Sequence, residues 1–299
     1  MTELLVLNDG KQELQAVSLD GTRVRTLITG VDERADGILV DQSRGHIYWT
    51  NMGAPDPGSG PRSEEAYARN GSLERADLDG TNRLTIVPRG AFTTGKQLAA
   101  DFEAGVLYWC DREGMQVLSC NLDGSDLRPL VVPAVGDDAA RTISNQPVGI
   151  AIDLDRRLLY WTQKGAPKAG EGRIFRASLD LPPGTSARHR DDVELLWRDL
   201  PEPIDLHLLD GGATLVWTDR GAEPQGDSLN RAIVQPTVGT PKILSRGYRE
   251  AIGLAAVSES EFYVGDLGGS IRHVNLDTGV DTELVNLGPG LTGIALAEL

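Results

Sequence analysis

The chain is short of the side chains that most often carry chemistry. Its 299 residues include 2 cysteines and 4 histidines. The histidines (His46, His189, His207 and His273) are scattered, and no Cys/His cluster has the spacing of a zinc site. Aromatic residues make up 5% of the chain. Positive charge is also scarce: 29 Lys and Arg stand against 44 Asp and Glu, for a net charge of −15 and a pI near 4.7. Such a surface repels phosphate backbones and anionic lipid, so neither nucleic acid nor membrane is expected as a partner. No apolar run approaches the roughly 20 residues needed to cross a bilayer. The sequence enters patterned structure at Leu4, directly after Met1-Thr2-Glu3, so no signal peptide is expected. Cys110 and Cys120 fall on adjacent strands of one hairpin, where Cys110 faces a residue near 117, so a disulfide between them is not expected on geometry. Two reduced thiols and no leader predict a cytoplasmic location. No phosphate-binding loop, no dinucleotide glycine pattern between a strand and a helix, and no G-x-S-x-G elbow occurs.

What is present is repetition. Ile47-Tyr48-Trp49-Thr50-Asn51 returns as Leu107-Tyr108-Trp109-Cys110-Asp111, Leu159-Tyr160-Trp161-Thr162-Gln163 and Leu215-Val216-Trp217-Thr218-Asp219. Weaker copies are Phe262-Tyr263-Val264-Gly265-Asp266 and Leu5-Val6-Leu7-Asn8-Asp9. With the tryptophan-equivalent positions at 7, 49, 109, 161, 217 and 264, the gaps are 42, 60, 52, 56 and 47, and the distance from 264 around the ends to 7 is again 42. A repeat of this length that closes on itself predicts a propeller rather than an open solenoid. Each unit has four segments of strand character, such as Val148–Asp153, Leu158–Thr162, Arg173–Ser178 and Val193–Trp197. The N-terminal unit has three (Leu4–Leu7, Leu14–Ser18 and Val24–Ile28), and its missing innermost strand is Leu291–Leu296 at the other end of the chain. The expectation is therefore an all-β, six-bladed β-propeller spanning residues 1–299, with four antiparallel strands per blade and the C-terminal strand completing the N-terminal blade. Turns such as Leu19-Asp20-Gly21-Thr22, Leu78-Asp79-Gly80-Thr81 and Leu122-Asp123-Gly124-Ser125 join third to fourth strands and read as hairpin chemistry alone.

These strands, with the Pro147–Asp153 segment before one of them, resemble the YWTD propellers of the low-density-lipoprotein receptor family. The resemblance covers essentially the whole chain and is specific for fold, while fold alone licenses no activity. Receptor propellers are secreted and flanked by disulfide-rich modules, and this sequence contains neither feature. Some copies also drift, ending in Asn51 or Gln163. A stand-alone propeller of this kind is similar to those of microbial biosynthetic pathways, including hetero-Diels–Alder cyclases of fungal secondary metabolism. That resemblance implies a cofactor-independent enzyme with a small organic substrate.

The repeated Trp and Tyr residues are expected to pack blade against blade, and the last Asp or Asn of each copy to tie neighbouring blades together. Trp197, outside the motif, is expected to pack at a blade edge, with an interaction patch as the alternative. Long connections cluster on one face: Asn51–Ser72, Pro88–Lys96, Val132–Gln146 and Gln163–Gly172; Leu179–Asp192 is the exception on the other face. Clustered loops on a rigid scaffold mark a site. The same face carries the starts of the innermost strands: Arg34 and Asp36, Lys96 and Gln97, Asn145 and Gln146, Glu202 and Asp205, Arg249 and Glu250. In an enzyme, Arg249, Lys96, Gln97 and Asn145 donate hydrogen bonds to the substrate, Tyr67 and Phe92 cover it, and Asp36, Glu202 or His207 move protons. Strand alternation puts Asp205 and His207 on one side; a buried, hydrogen-bonded His207 is the favoured reading, with a proton-shuttling pair as the alternative. A channel calcium on Asp36, Asn145, Glu202 and Asp205 would be crowded by Arg34, Lys96 and Arg249, so neither metal nor cofactor is expected. The alternatives are a protein-binding scaffold, with a protein as partner, and a calcium-dependent lactonase-like hydrolase.

Overall fold

In the computed structural model, which describes residues 1–56 and 66–299, six four-stranded antiparallel sheets are arranged as a ring. Residues 57–65 of the predicted Asn51–Ser72 loop lie outside the described residues. We number the blades I to VI from the N-terminus. Their innermost strands are Leu291–Glu298, Ala35–Asp41, Gly95–Asp101, Pro147–Asp153, Pro203–Leu209 and Ala251–Ala256. Each of these packs against the inner strands of both neighbours, which closes the ring. Blade I is the composite foreseen from the sequence: Leu291–Glu298 pairs antiparallel with Thr2–Asn8, with Leu4 opposite Leu296 and Val6 opposite Ile294. Cys110 stands opposite Val117 and Cys120 opposite Leu107, so both thiols are free and buried.

The motif explains the packing between blades. Trp49, Trp109, Trp161 and Trp217 are fully buried, each in an apolar cluster shared by two adjacent blades. Trp197 stacks on Trp217 at 5.5 Å between centroids and donates its indole N–H to the Gly239 carbonyl, so it packs at the blade edge. The tie between blades belongs to the threonine rather than to the acidic residue after it. Every inner strand bulges just after its start. In three blades the motif Thr hydroxyl accepts the bulge N–H and donates to a carbonyl of the next blade. Thr50 accepts from Gly37 and donates to Lys96; Thr162 accepts from Gly149 and donates to Ile204; Thr218 accepts from Asp205 and donates to Ile252. A hydroxyl can do both at once because it carries one donor and two acceptor sites. The acidic residue instead pins the link that enters its own blade. Asp111 accepts the Thr93 and Thr94 N–H groups, Asp219 that of Glu202, and Asp266 that of Arg249.

The Asp-Gly turns also do more than reverse the chain. Asp20, Asp79 and Asp123 each accept from the backbone and hydroxyl of the residue two further on. Their glycines have φ of 72° to 84° and press against the outer strand of the preceding blade. A Cβ on Gly124 would lie 1.9 Å from the Ile86 carbonyl oxygen. The turn is thus a contact between blades as well as a hairpin.

Candidate functional site

The six inner strands enter the channel in equivalent conformations, so their residues can be compared blade by blade. At the second position of the strand stand Thr292, Asp36, Lys96, Val148, Ile204 and Ile252 in blades I to VI. Val148, Ile204 and Ile252 form one apolar cluster with Leu267 against it. Opposite them is a buried ion pair, with the Lys96 ammonium 2.5 Å from the Asp36 carboxylate and 3.0 Å from the Met52 sulfur. The Gln97 amide donates to the other Asp36 oxygen at 3.3 Å. Burial draws the Lys96 pKa down to about 8, against the pull of Asp36 and with help from Arg112.

At the third position four blades have Gly, because the next blade's backbone leaves no room. A Cβ on Gly149 would lie 1.8 Å from the Ile204 carbonyl oxygen, and one on Gly253 2.2 Å from that of Thr292. Gln97 and Asp205 are the exceptions. Asp205 turns its carboxylate onto the N–H groups of Leu254 and Leu206, and burial raises its pKa to about 7 despite those bonds. It is committed to backbone, not to His207. The His207 ring makes no hydrogen bond among the described residues, and burial alone lowers its pKa, so it is neither the hydrogen-bonded histidine expected there nor half of a shuttle pair with Asp205. Both line the channel below the mouth, a cavity of about 230 Å³ walled by Ile38, Leu98, Ile150, Leu254 and Ile294.

A third ring was not foreseen. It is formed by the residue that follows each motif strand at this face (Asp9, Met52, Arg112, Lys164, Arg220 or Leu267). In blade I Val6 pairs with Ile294 as Trp49 pairs with Ile38, so Val6 rather than Leu7 is the tryptophan equivalent and the copy ends at Asn8. Three consecutive blades place a cation there. Lys164 and Arg220 both bind the buried Glu202 carboxylate, at 2.9 Å and 2.7 Å, and the Lys168 N–H holds its second oxygen. Arg112 pairs with Glu113, and its charge reaches Lys96 and Lys164. Asp9 lies within the fields of Arg34, Asp36 and Lys96, and burial raises its pKa. The one signal in the sequence was position: the site uses the residue after the repeat, where the copies stop agreeing. The mouth therefore has an apolar arc over blades IV to VI, a cationic arc over III to V, and carboxylates over I and II.

The other predicted residues divide. Arg34, in left-handed backbone with φ 57°, keeps a buried nitrogen with no hydrogen-bond partner among the described residues. Arg249 is exposed and lies across Gly268, where a Cβ would come within 2.5 Å of its guanidinium. Glu250 is 3.7 Å from Arg220. Tyr67 is half-buried beneath the Arg141 guanidinium, 4.5 Å from the ring centroid. Phe92 does not cover a substrate: it is fully buried at the end of the outer strand Leu84–Phe92, packed 5.3 Å from Trp109. The side-chain amides of Asn145 and Gln146 donate to the Ala139 and Ala140 carbonyls and so shape the Val132–Gln146 loop, rather than standing ready for a ligand. Among the described residues no three His, Cys, Asp or Glu side chains gather as metal ligands. Asp36 and Glu202 are each taken up by cations.

No family model matches the chain. A low-density lipoprotein receptor-related protein 1 of the fungus Pyricularia oryzae is 40% identical over 290 residues, covering 93% of this chain and 89% of that protein. The chain belongs to the low-density lipoprotein receptor-related family. A second relative, a 3-hydroxyacyl-CoA dehydrogenase-like protein, LAM1, of Cochliobolus heterostrophus, is 36% identical over 294 residues; this family member spans 59% of its length. The mouse low-density lipoprotein receptor-related protein 5 is 31% identical over 150 residues, where the match is 7% of the receptor. Among solved structures, a chain of a nidogen/laminin complex superposes with a TM-score of 0.71 at 20% identity over 100% of this chain and 99% of that one. TolB from Acinetobacter baumannii gives 0.67 at 12% identity over 99% and 66%. At these identities the likeness is one of fold.

Proposed function

We propose that this receptor-related propeller is a cofactor-independent enzyme of secondary metabolism that takes a small organic substrate at the channel mouth. The observation that carries the reading is the Lys96–Asp36 pair set against the apolar arc of Val148, Ile204 and Ile252. A buried ion pair contributes little to stability compared with apolar residues of similar size, and the four equivalent positions do without charge. Its chemistry is apt. An ammonium with a pKa near 8 donates a strong hydrogen bond at neutral pH and can release its proton. Held by Asp36 beside a carbonyl or quinone-methide oxygen, it stabilises negative charge developing there, while the apolar arc holds the reacting carbon framework. Cyclisation of the hetero-Diels–Alder type asks for these two features and no cofactor. Arg249 and Tyr67 stand on the rim, while Glu202, gripped by Lys164 and Arg220, orders the wall instead of moving protons. The dehydrogenase-like name of the second relative finds no support in this region: among the described residues strands dominate and no glycine-rich turn leads from a strand into a helix.

The test is genetic and chemical. A strain of the source organism lacking this gene is complemented with the wild type or with Lys96→Met, and its small-molecule products are profiled. The expected result is that the wild type restores the products and Lys96→Met leaves a precursor accumulating. Full restoration by Lys96→Met overturns the enzymatic reading and favours a protein-binding scaffold.

A further inference from the structure

A second site lies away from the mouth, in the groove between blades III and IV. Its origin is the exceptional connector Leu179–Asp192. The connector does not loop out: it climbs the edge of blade IV, and the Val132 N–H at the end of blade III's outer strand donates to its Ala187 carbonyl. Arg190 then fastens the two blades. Its guanidinium is almost completely buried and donates to the Leu130 carbonyl of blade III, the Ser178 carbonyl of blade IV and the Asp192 carboxylate. Between connector and blades is a cavity of about 300 Å³ with an aromatic wall, Trp161 stacked on Phe175 at 5.3 Å and 12°.

The lining is anomalous for this protein. The chain carries a net charge of −15, yet the cavity is lined by Arg173, Arg188 and Arg190 and by no carboxylate. Asp192 neutralises Arg190. Arg173 lies over the Phe175 ring and donates to the Ser144 carbonyl; Glu171, outside the cavity lining, partly offsets its charge, and the neighbouring Arg198 adds to it. Arg188 is exposed and makes no hydrogen bond or ion pair among the described residues. Two guanidinium groups thus share a pocket whose lining supplies no carboxylate to pair with them. The equivalent groove between blades IV and V, about 490 Å³ around Trp217, differs in sign, with Asp199, Asp219 and Glu223 in its wall against the one cation Lys168. The positive lining of the groove between blades III and IV is therefore not shared by its neighbour.

We propose that the groove between blades III and IV binds a small organic carboxylate with a flat, apolar body. Arg173 and Arg188 take the carboxylate, a pairing for which the guanidinium fork is suited. The body lies against Trp161, Phe175 and Val193. The volume is at the small end of ligand sites, which fits a single substituted ring better than an extended chain. Inorganic phosphate has the charge but nothing to set against the aromatic wall.

Isothermal titration calorimetry with benzoate, benzamide and inorganic phosphate tests this on the full chain. Saturable benzoate binding is expected, at least about tenfold tighter than benzamide or phosphate. Arg188→Ala, which removes an exposed side chain without partners, is expected to weaken benzoate about tenfold with an unchanged melting temperature. Arg173→Gln is expected to weaken benzoate to a similar degree, and Lys96→Met at the mouth is expected to leave benzoate affinity unchanged. Binding of benzamide as tight as benzoate, benzoate binding indifferent to Arg188→Ala, or loss of benzoate binding in Lys96→Met overturns the proposal. The last outcome places the anion at the mouth instead. Absence of saturable benzoate binding to the wild type overturns it as well.

Discussion

Asp205 shows how one side chain can be held in an unusual state by position alone. Five of the six blades have no carboxylate at its place, and four have glycine because a Cβ there meets the next blade. Asp205 fits by turning its oxygens onto the N–H groups of Leu206 and Leu254, so it spans blades V and VI. Those bonds favour the ionised form, but burial outweighs them and sets the pKa at about 7. The consequence for stability has a definite sign. From the usual carboxylate value near 4 up to about 7, the unfolded chain gives up this proton while the folded chain keeps it. The folded state then binds more protons, so stability falls as pH rises through that window and levels off above it. The full effect is on the order of 4 kcal/mol. Asp205→Asn abolishes this titration. Urea midpoints at pH 4.5 and 7.5 are therefore expected to diverge more for the wild type than for the variant, and equal divergence would rule out the assignment. Asp219, also raised to about 7, contributes the same slope to both proteins.

At the level of the strand, the motif threonine and the inner-strand bulge form one device. The bulge frees an N–H from the ladder, the hydroxyl accepts it, and the same hydroxyl donates across the gap to the next blade. In Thr218→Val the side-chain shape is kept while the Asp205 N–H is stranded and the Ile252 carbonyl loses a donor. A cost of about 2 to 4 kcal/mol is expected in denaturant unfolding. Thr282→Val, at an exposed outer-strand position, is expected to stay within about 0.5 kcal/mol of the wild type. Comparable losses in the two variants would refute the role given to Thr218. The strands themselves were legible in the sequence because apolar alternation and the motif mark them in every copy. Their edges were less so. The strand Leu84–Phe92 runs straight through Pro88, which an outer edge tolerates because the proline needs no ladder hydrogen bond there. Reading a loop from Pro88 onward made Phe92 look available when it is core. The mouth was legible in half. Asp36, Lys96 and Gln97 stood out as departures from the other copies. Arg112, Lys164 and Arg220 did not, because nothing in the linear sequence relates the residues after the motif until six strands end at one ring. The amides of Asn145 and Gln146 were misjudged because their partners sit in a short helix that no periodicity announces.

For the whole molecule, the ring matters because every site described depends on closure. The Lys96–Asp36 pair joins blades II and III, the Glu202 cluster joins IV and V, and the arginine-lined groove needs the edges of III and IV. None of these survives if the blades splay. Closure rests on Leu291–Glu298, which completes blade I and reaches both sides. Thr292 donates to the Ala35 carbonyl of blade II, Gln42 of blade II bonds the Glu298 backbone in both directions, and Ile294 occupies the space left by Gly265 of blade VI, where the other copies carry a larger side chain. Gly265 stands where blades II, IV and V have threonine, so at this junction apolar packing from the closing strand replaces a hydrogen bond. Removing residues 291–299 would expose the unpaired edge of Thr2–Asn8 and the flank of blade VI together, two surfaces prone to association. The truncated chain is expected to lose its cooperative thermal transition and to aggregate. A synthetic peptide covering residues 290–299, added during refolding, is expected to restore both the transition and the elution volume of the intact chain by supplying the missing strand in trans. A truncated chain that melts cooperatively without the peptide would show that the ring is held by its blade interfaces and that the composite blade is dispensable.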